Sequence, residues 1–229
     1  VTAQNTMGIQ GVYEVPPEGV AAQLDSVCQD IRFSAVKTGM LSSKEIVAAV
    51  CDKLAAYQLP NLVVDPVMVA SSGDLLLQKD AIEVVQERLL PLAVLVTPNL
   101  KEAEVLSGMT INCMEDMKKA GQKIQQELGC ANVLVKGGHL AHTATDLLCM
   151  ADGTVLSFPE ERIETKNSHG TGCTLSAALA VCLGKGMEMQ QAVKTAKQYL
   201  TRALYYGRLD QVGHGTGPVR HNYSLFDKK

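Results

Sequence analysis

Three short runs of apolar residues punctuate the chain: Asn61-Leu62-Val63-Val64-Asp65, Ala93-Val94-Leu95-Val96-Thr97 and Asn132-Val133-Leu134-Val135-Lys136. Apolar residues fill consecutive positions in each, so both faces of such a strand must be covered, as in a parallel sheet. The stretches between them follow helical spacing. Ser42-Ser43-Lys44-Glu45 has the pattern of a capping box, and Ile46, Val47, Val50, Cys51 and Leu54 follow on one helical face. Residues 79–89 repeat that spacing through Ile82, Val85 and Leu89, and residues 115–128 predict a charged, exposed helix. Residues 173–183 predict a very apolar helix, and 189–205 an amphipathic one. Between these groups, Thr145–Met150 and Val155–Phe158 flank Asp152-Gly153, a dipeptide suited to a hairpin turn. Strands alternating with helices predict βαβ units. The fold class is therefore α/β: a doubly wound, three-layer α-β-α sandwich with a mainly parallel central sheet. No repeat, low-complexity tract or linker divides the chain, so residues 1–229 read as a single domain.

Composition narrows the classes of function. A hydrophobic content of 46% over 229 residues supplies one sizeable core, and 20% charged residues is ordinary for a soluble enzyme. The net charge of -3 gives no basic footprint, which argues against a nucleic-acid partner. The apolar stretches are too short and interrupted to span a bilayer. The 7 cysteines are odd in number, lack C-x-x-C spacing and mostly sit in apolar runs. That pattern predicts buried free thiols in a reducing, cytoplasmic setting rather than disulfides or a zinc cluster. The first residues show no charged segment followed by an apolar one, and the chain does not begin with Met. It reads as a piece of a longer polypeptide.

Polar residues gather where the apolar runs stop. The runs end in Asp65-Pro66-Val67-Met68, Thr97-Pro98-Asn99 and Lys136-Gly137-Gly138-His139. Turns need Asp, Pro, Asn and Gly in any case. In open α/β sheets, however, ligands bind beyond the carboxyl ends of the strands, and here three strands aim an acid, an amide and a cation at one edge. A fourth segment, His169-Gly170-Thr171-Gly172-Cys173-Thr174, opens directly into an apolar helix. Free N–H groups and the positive end of the helix dipole make such a start an anion hole, suited to phosphate or to charge developing in phosphoryl transfer. A glycine-rich helix start that merely packs against the sheet is the plainer alternative. No G-x-x-x-x-G-K-[ST], H-E-x-x-H or G-x-S-x-G motif is present. Gly213-His214-Gly215-Thr216-Gly217-Pro218 imitates a dinucleotide fingerprint, but no strand precedes it and Pro218 blocks the helix that should follow.

Taken together, Asp65–Ala70, Thr97-Pro98-Asn99-Leu100 with Glu102 and Ala103, Val135–His139 and His169–Thr174 resemble the hydroxymethylpyrimidine/phosphomethylpyrimidine kinase family of the ribokinase-like superfamily. Gln4-Asn5-Thr6, Lys37–Met40, and Gly213-His214-Gly215 with Gly217, Pro218 and His221 agree, so the resemblance spans the chain. It implies ATP-dependent phosphorylation of 4-amino-5-hydroxymethyl-2-methylpyrimidine and of its monophosphate in thiamine biosynthesis, with Mg²⁺. By the same resemblance, Lys136 meets the ATP phosphates. Asn99 and Glu102 hold Mg²⁺ partly through water, Asp65 joins that shell, and Thr171 and Gly172 contact ATP. The N–H groups of Gly170 to Cys173 stabilise the transferring phosphoryl group. Gln4 bonds the aminopyrimidine edge while Met40 and Val67 pack on the ring. His139 and His169 serve structure or flank phosphate. Cys173 stands where related sugar kinases carry a catalytic Asp; a cysteine at a helix N-terminus makes an accessible thiolate, so it is the candidate base, the alternative being that it only shapes the pocket. A homodimer is implied. The family's opening strand, glycine-rich loop and helix have no counterpart here. A pyridoxal kinase on the same scaffold, and a binder of the pyrimidine without ATP, are the competing readings.

Overall fold

The structure, a computed structural model, describes residues 1–68, 77–138 and 144–225. Val69, Ala70 and His139 therefore lie outside the described residues. The chain opens with a hairpin, β1 (Thr2–Asn5) and β2 (Gly8–Val12), which pair only with each other. Then follow α1 (Pro17–Cys28), β3 (Val36–Thr38), α2 (Lys44–Ala56), β4 (Leu62–Val64), α3 (Lys79–Val84), β5 (Leu95–Val96), α4 (Leu100–Ser107), α5 (Met114–Leu128) and β6 (Val133–Val135). The hairpin strands β7 (Asp146–Cys149) and β8 (Val155–Phe158) and the helices α6 (Thr171–Gly184) and α7 (Met189–Gly207) complete the main body.

Strands β3 to β8 form one sheet in chain order. β3 to β6 run parallel, and β7 and β8 are antiparallel. Side chains alternate between its faces. Val64, Val96 and Val135 pack toward the layer of α2, α4 and α5, with Val47, Ala103 and Ile124. Val63, Leu95, Leu134 and Leu148 pack toward α6 and α7, with Leu175, Leu179, Val193 and Ala196. The three layers and the mainly parallel sheet are as the pattern predicts. The winding differs: the strand order does not reverse. The consecutive crossovers place α2 to α5 on one face, and the two C-terminal helices close the other.

Local differences have local causes. Ser43, not Ser42, caps α2, its Oγ accepting from Ile46 N–H at 3.4 Å. The helix expected over 79–89 is α-helical only to Val84, continues as a π turn over Val85–Leu89 and tightens to a 3₁₀ turn at Leu90–Leu92. Pro91 has no N–H to extend a helix, and the wider turn lets Val85, Leu89 and Leu90 all bury against the core. The Asp152-Gly153 turn forms with Gly153 at φ +86°, and Asp152 Oδ1 accepts from Thr154 N–H.

Candidate active site

The carboxyl edge of the parallel strands meets the start of α6. Asp65, just past β4, is 3% exposed at its side chain, and its Oδ1 lies 2.9 Å from Lys136 Nζ, just past β6. Gly172 sits directly over this pair. A Cβ built there would stand 3.3 Å from Lys136 Nζ and 3.5 Å from Asp65 Oδ2, so the absence of a side chain lets the helix start approach the two charges. One turn on, Ser176 Oγ lies 3.3 Å from Asp65 Oδ2 and 3.1 Å from the Gly172 carbonyl.

Electrostatics favour the charged Lys136 ammonium. Burial alone would push the Lys136 ammonium down, but Asp65 and Glu102, with Asp146 beyond, outweigh it and keep the group above the ordinary lysine range. Glu102 is the reverse case: burial lifts its carboxyl above the usual range, although Lys136 and two backbone donors pull it down. Those donors are Asn99 N–H, 2.8 Å from Oε2, and Met68 N–H, 3.3 Å from Oε1. Asn99 Oδ1 in turn accepts from Glu102 N–H at 3.0 Å, so Asn99 and Glu102 form a capping box on α4. The spacing read as a metal element is thus also the brace that ties the loop after β4 to the start of α4.

The glycine-rich loop has the expected form. Gly170 is the N-cap of α6, in the left-handed region at φ +82°, and no described side chain caps the helix. Of the four N–H groups expected to stabilise phosphoryl, that of Thr171 donates to the Ser168 carbonyl at 3.3 Å. Those of Gly172 and Cys173 lie in the first helical turn, where the helix itself supplies no acceptor. Cys173 is exposed on that turn, and its neighbour Thr174 is held by His221, with Oγ1 and Nε2 2.9 Å apart.

The substrate-side residues are less concentrated. Val67 is half-buried just after Asp65, with φ at +39°, a strained conformation for a β-branched residue. Met40 is half-buried after β3. Gln4 is exposed on β1. The turn of that hairpin is tied toward the site: Thr6 O accepts from Thr216 N–H, and Thr6 Oγ1 from Gly215 N–H. The same C-terminal loop pairs with exposed His169, whose N–H donates to the Gly217 carbonyl at 2.9 Å. The glycines at 213–217 thus serve a docked strap. The hydroxyls of Thr38 and Thr97 are buried at strand ends on this edge without a hydrogen-bond partner among the described residues. Buried orphans of this kind mark strained or functional positions.

Ser176, Asp146 and Lys197 escaped the sequence reading. Ser176 is one turn along α6 from Gly172, a spacing that puts both on one face. Lys197 shares the apolar face of Val193 and Ala196, where a charge signals a buried partner.

A helix start laid over a strand-end ion pair, on a sheet covered by helices on both faces, defines an α/β fold shared with small-molecule kinases. A crystal structure of Bacillus subtilis pyridoxal kinase as an ADP complex superposes with a TM-score of 0.88 at 34% identity, covering 99% of this chain and 84% of that one. A 2.06 Å crystal structure of phosphomethylpyrimidine kinase from Clostridium difficile 630 gives 0.78 at 40% identity, covering 89% and 83%. The family model for phosphomethylpyrimidine kinase matches residues 1–220, and the chain belongs to that family. It is 48% identical to the hydroxymethylpyrimidine/phosphomethylpyrimidine kinase of Rhizobium meliloti, over 96% of this chain and 83% of the relative. It is also 48% identical to a thiamine biosynthesis bifunctional protein of Geobacter sulfurreducens, of which it spans 44%.

The thiols provide a direct check on this geometry. Burial pushes Cys51, Cys130 and Cys149 up to about 11, whereas Cys173 and Cys113 are exposed. Iodoacetamide at neutral pH should therefore label Cys173 and Cys113 first, read by peptide mass mapping, while Cys51, Cys130 and Cys149 stay unmodified. Early labelling of those three, with Cys173 spared, would contradict the arrangement.

Proposed function

We propose that this chain transfers the γ-phosphoryl group of ATP to the 5-hydroxymethyl oxygen of 4-amino-5-hydroxymethyl-2-methylpyrimidine. A second transfer, to the monophosphate so formed, completes a kinase step of thiamine biosynthesis. The observation that carries this reading is the Lys136–Asp65 pair lying under the Gly172 turn of an α6 start that no described side chain caps. A cation and backbone N–H groups converge there, and phosphoryl transfer asks a protein mainly for positioning and charge neutralisation.

In this reading Lys136 binds the ATP phosphates, with Asn99, Thr171 and Gly172 beside it, and the N–H groups of Gly172 and Cys173 face the transferring group. Cys173, as thiolate, accepts the proton of the substrate hydroxyl as its oxygen bonds to phosphorus and ADP leaves. Met40 and Val67 flank the ring, and Gln4 reads its polar edge. The carboxylates Asp65 and Glu102 suit Mg²⁺, a hard cation that takes one or two carboxylates and completes its shell with phosphates and water. Two carboxyl groups, Asp65 and Glu102, stand against the single Lys136 ammonium, which leaves acidic oxygens for such a cation. Among the described residues no group of three or more His, Cys, Asp or Glu could hold a metal ion on its own. The ion, when bound, neutralises charge on the phosphoryl oxygens.

A homodimer and a cytoplasmic setting belong to the same proposal. Met7, Val12 and Tyr13, exposed on the first hairpin, support the former, and seven free cysteines the latter. Among the described residues no helix is long and apolar enough to cross a membrane.

The second reading, a pyridoxal kinase, is favoured by the overlap with pyridoxal kinase structures, which reaches a TM-score of 0.88. ADP release with a panel of the pyrimidine, its monophosphate and pyridoxal separates the two. The proposal expects the pyrimidine and its monophosphate to give the higher kcat/KM; turnover confined to pyridoxal would overturn the substrate assignment, and ADP release with none of them would overturn the kinase reading.

Cys173→Ser tests the base. It keeps the shape of the first turn but loses the ionisable thiol, and loss of general-base help typically costs about 10²–10⁴-fold in turnover. Near-parent kcat at saturating substrates would reject that role.

A further inference from the structure

Lys197 and Asp146 form a second buried ion pair that the mechanism above does not use. Lys197 Nζ lies 2.7 Å from Asp146 Oδ2, with both side chains 8% exposed, and also donates to the Ala144 carbonyl at 3.0 Å. The other carboxylate oxygen, Oδ1, accepts from Gly137 N–H at 2.9 Å. Gly137 follows Lys136 directly. On the other side, Lys136 N–H donates to the Pro98 carbonyl at 2.8 Å and pairs with Asn99. The backbone at the root of the Lys136 side chain is therefore pinned by consecutive N–H groups, one to the β5 end and one to Asp146. Gly137 is packed so closely on the Thr145 carbonyl that no Cβ fits, so the turn has one way to lie on the 144–146 segment.

We propose that the Asp146–Lys197 pair is a positioning device for the Lys136–Gly137 turn, fixing where the Lys136 ammonium meets nucleotide phosphate without touching the nucleotide. The inference rests on the reading of Lys136 as the phosphate cation. Stability alone is a weak account of the pair, because apolar residues of similar volume often replace a buried ion pair at no loss. Geometry is the stronger account: a displacement of about 1 Å at a reacting or binding group can cost on the order of 10²-fold. Lys197, anchored on α7, holds both the entry to β7 through Ala144 and the carboxylate that holds Gly137. The long helix thereby supports a turn on the far side of the sheet's last parallel strand.

The test compares the parent, Lys197→Arg and the double variant Asp146→Leu/Lys197→Met, which removes the Gly137 acceptor without leaving a buried charge alone. Calorimetry reads the Kd of a non-hydrolysable ATP analogue and, separately, of the pyrimidine; a melting curve reports folding. The double variant should bind the analogue at least roughly tenfold more weakly. Its pyrimidine affinity should stay within about twofold, and Lys197→Arg, which keeps a cation beside Asp146, should retain most of the analogue affinity. A lowered melting temperature with unchanged analogue affinity overturns the proposal, as does equal weakening toward both ligands. Should the double variant not fold, Asp146→Ala, which also removes the Gly137 acceptor, decides by the same comparison: selective weakening toward the analogue supports the proposal, and its absence overturns it. A parent that binds the analogue but transfers no phosphate sinks the kinase reading and leaves this comparison intact.

Discussion

Lys136 and Asp65 meet across the carboxyl ends of β4 and β6, strands separated in the sheet by β5, and almost everything at the site is arranged around that contact. Two opposite charges taken out of water each cost several kcal/mol unless paired and further hydrogen-bonded. Here each has further polar company: Asp65 has Ser176, and Lys136 is surrounded by the fields of Glu102 and Asp146. The excess of acid over base keeps the ammonium protonated. The site is therefore a positive pole held in a negative surround.

The fold supplies the pole's geometry. Parallel strands in consecutive order bring Asp65, Asn99 and Lys136 to one edge, because each crossover returns the chain to the same end of the sheet. The hairpin β7–β8 then reverses direction and sends α6 back across the opposite face, so that its N-terminus arrives over the same edge. A side chain at Gly172 would crowd the Lys136 ammonium, and a capping side chain would compete for the N–H groups. The capping box of Asn99 and Glu102 braces the neighbouring helix start and reaches back to Met68, the residue after Val67. At the periphery, Thr6 and the 213–217 loop lock together the two ends of the described chain beside His169.

Much of this was legible in the sequence. The three apolar runs became β4, β5 and β6, slightly shortened, because burial on both faces leaves no room for polar residues. The strand-end residues converged because a parallel sheet gives them no alternative. Less legible were elements whose stability comes from partners rather than pattern. β1 and β2 carry mixed polar residues and gain definition from each other and from the C-terminal strap. β3 is three residues long and is fixed by β4 alongside it. The π turn at Val85–Leu89 answers to core packing ahead of Pro91, which helical periodicity cannot express. The sequence also showed Asn99 and Glu102 as candidate ligands without showing that they satisfy each other's backbone. Asp146 read as part of the hairpin strand Thr145–Met150; its partner Lys197 lies 51 residues away, beyond the reach of any local pattern.

The central claim is that the Lys136–Asp65 pair serves phosphate binding first and stability second. The decisive measurement is calorimetric affinity for a non-hydrolysable ATP analogue, taken alongside melting temperature, in Lys136→Met and in Asp65→Asn/Lys136→Met. Removing the cation alone strands a buried carboxylate and should cost about 3–5 kcal/mol of stability. Neutralising Asp65 as well should return most of that stability. The account predicts that analogue affinity stays at least roughly tenfold below the parent in both variants, a loss of about 1.4 kcal/mol or more. Parent-like affinity in the stable double variant would contradict it.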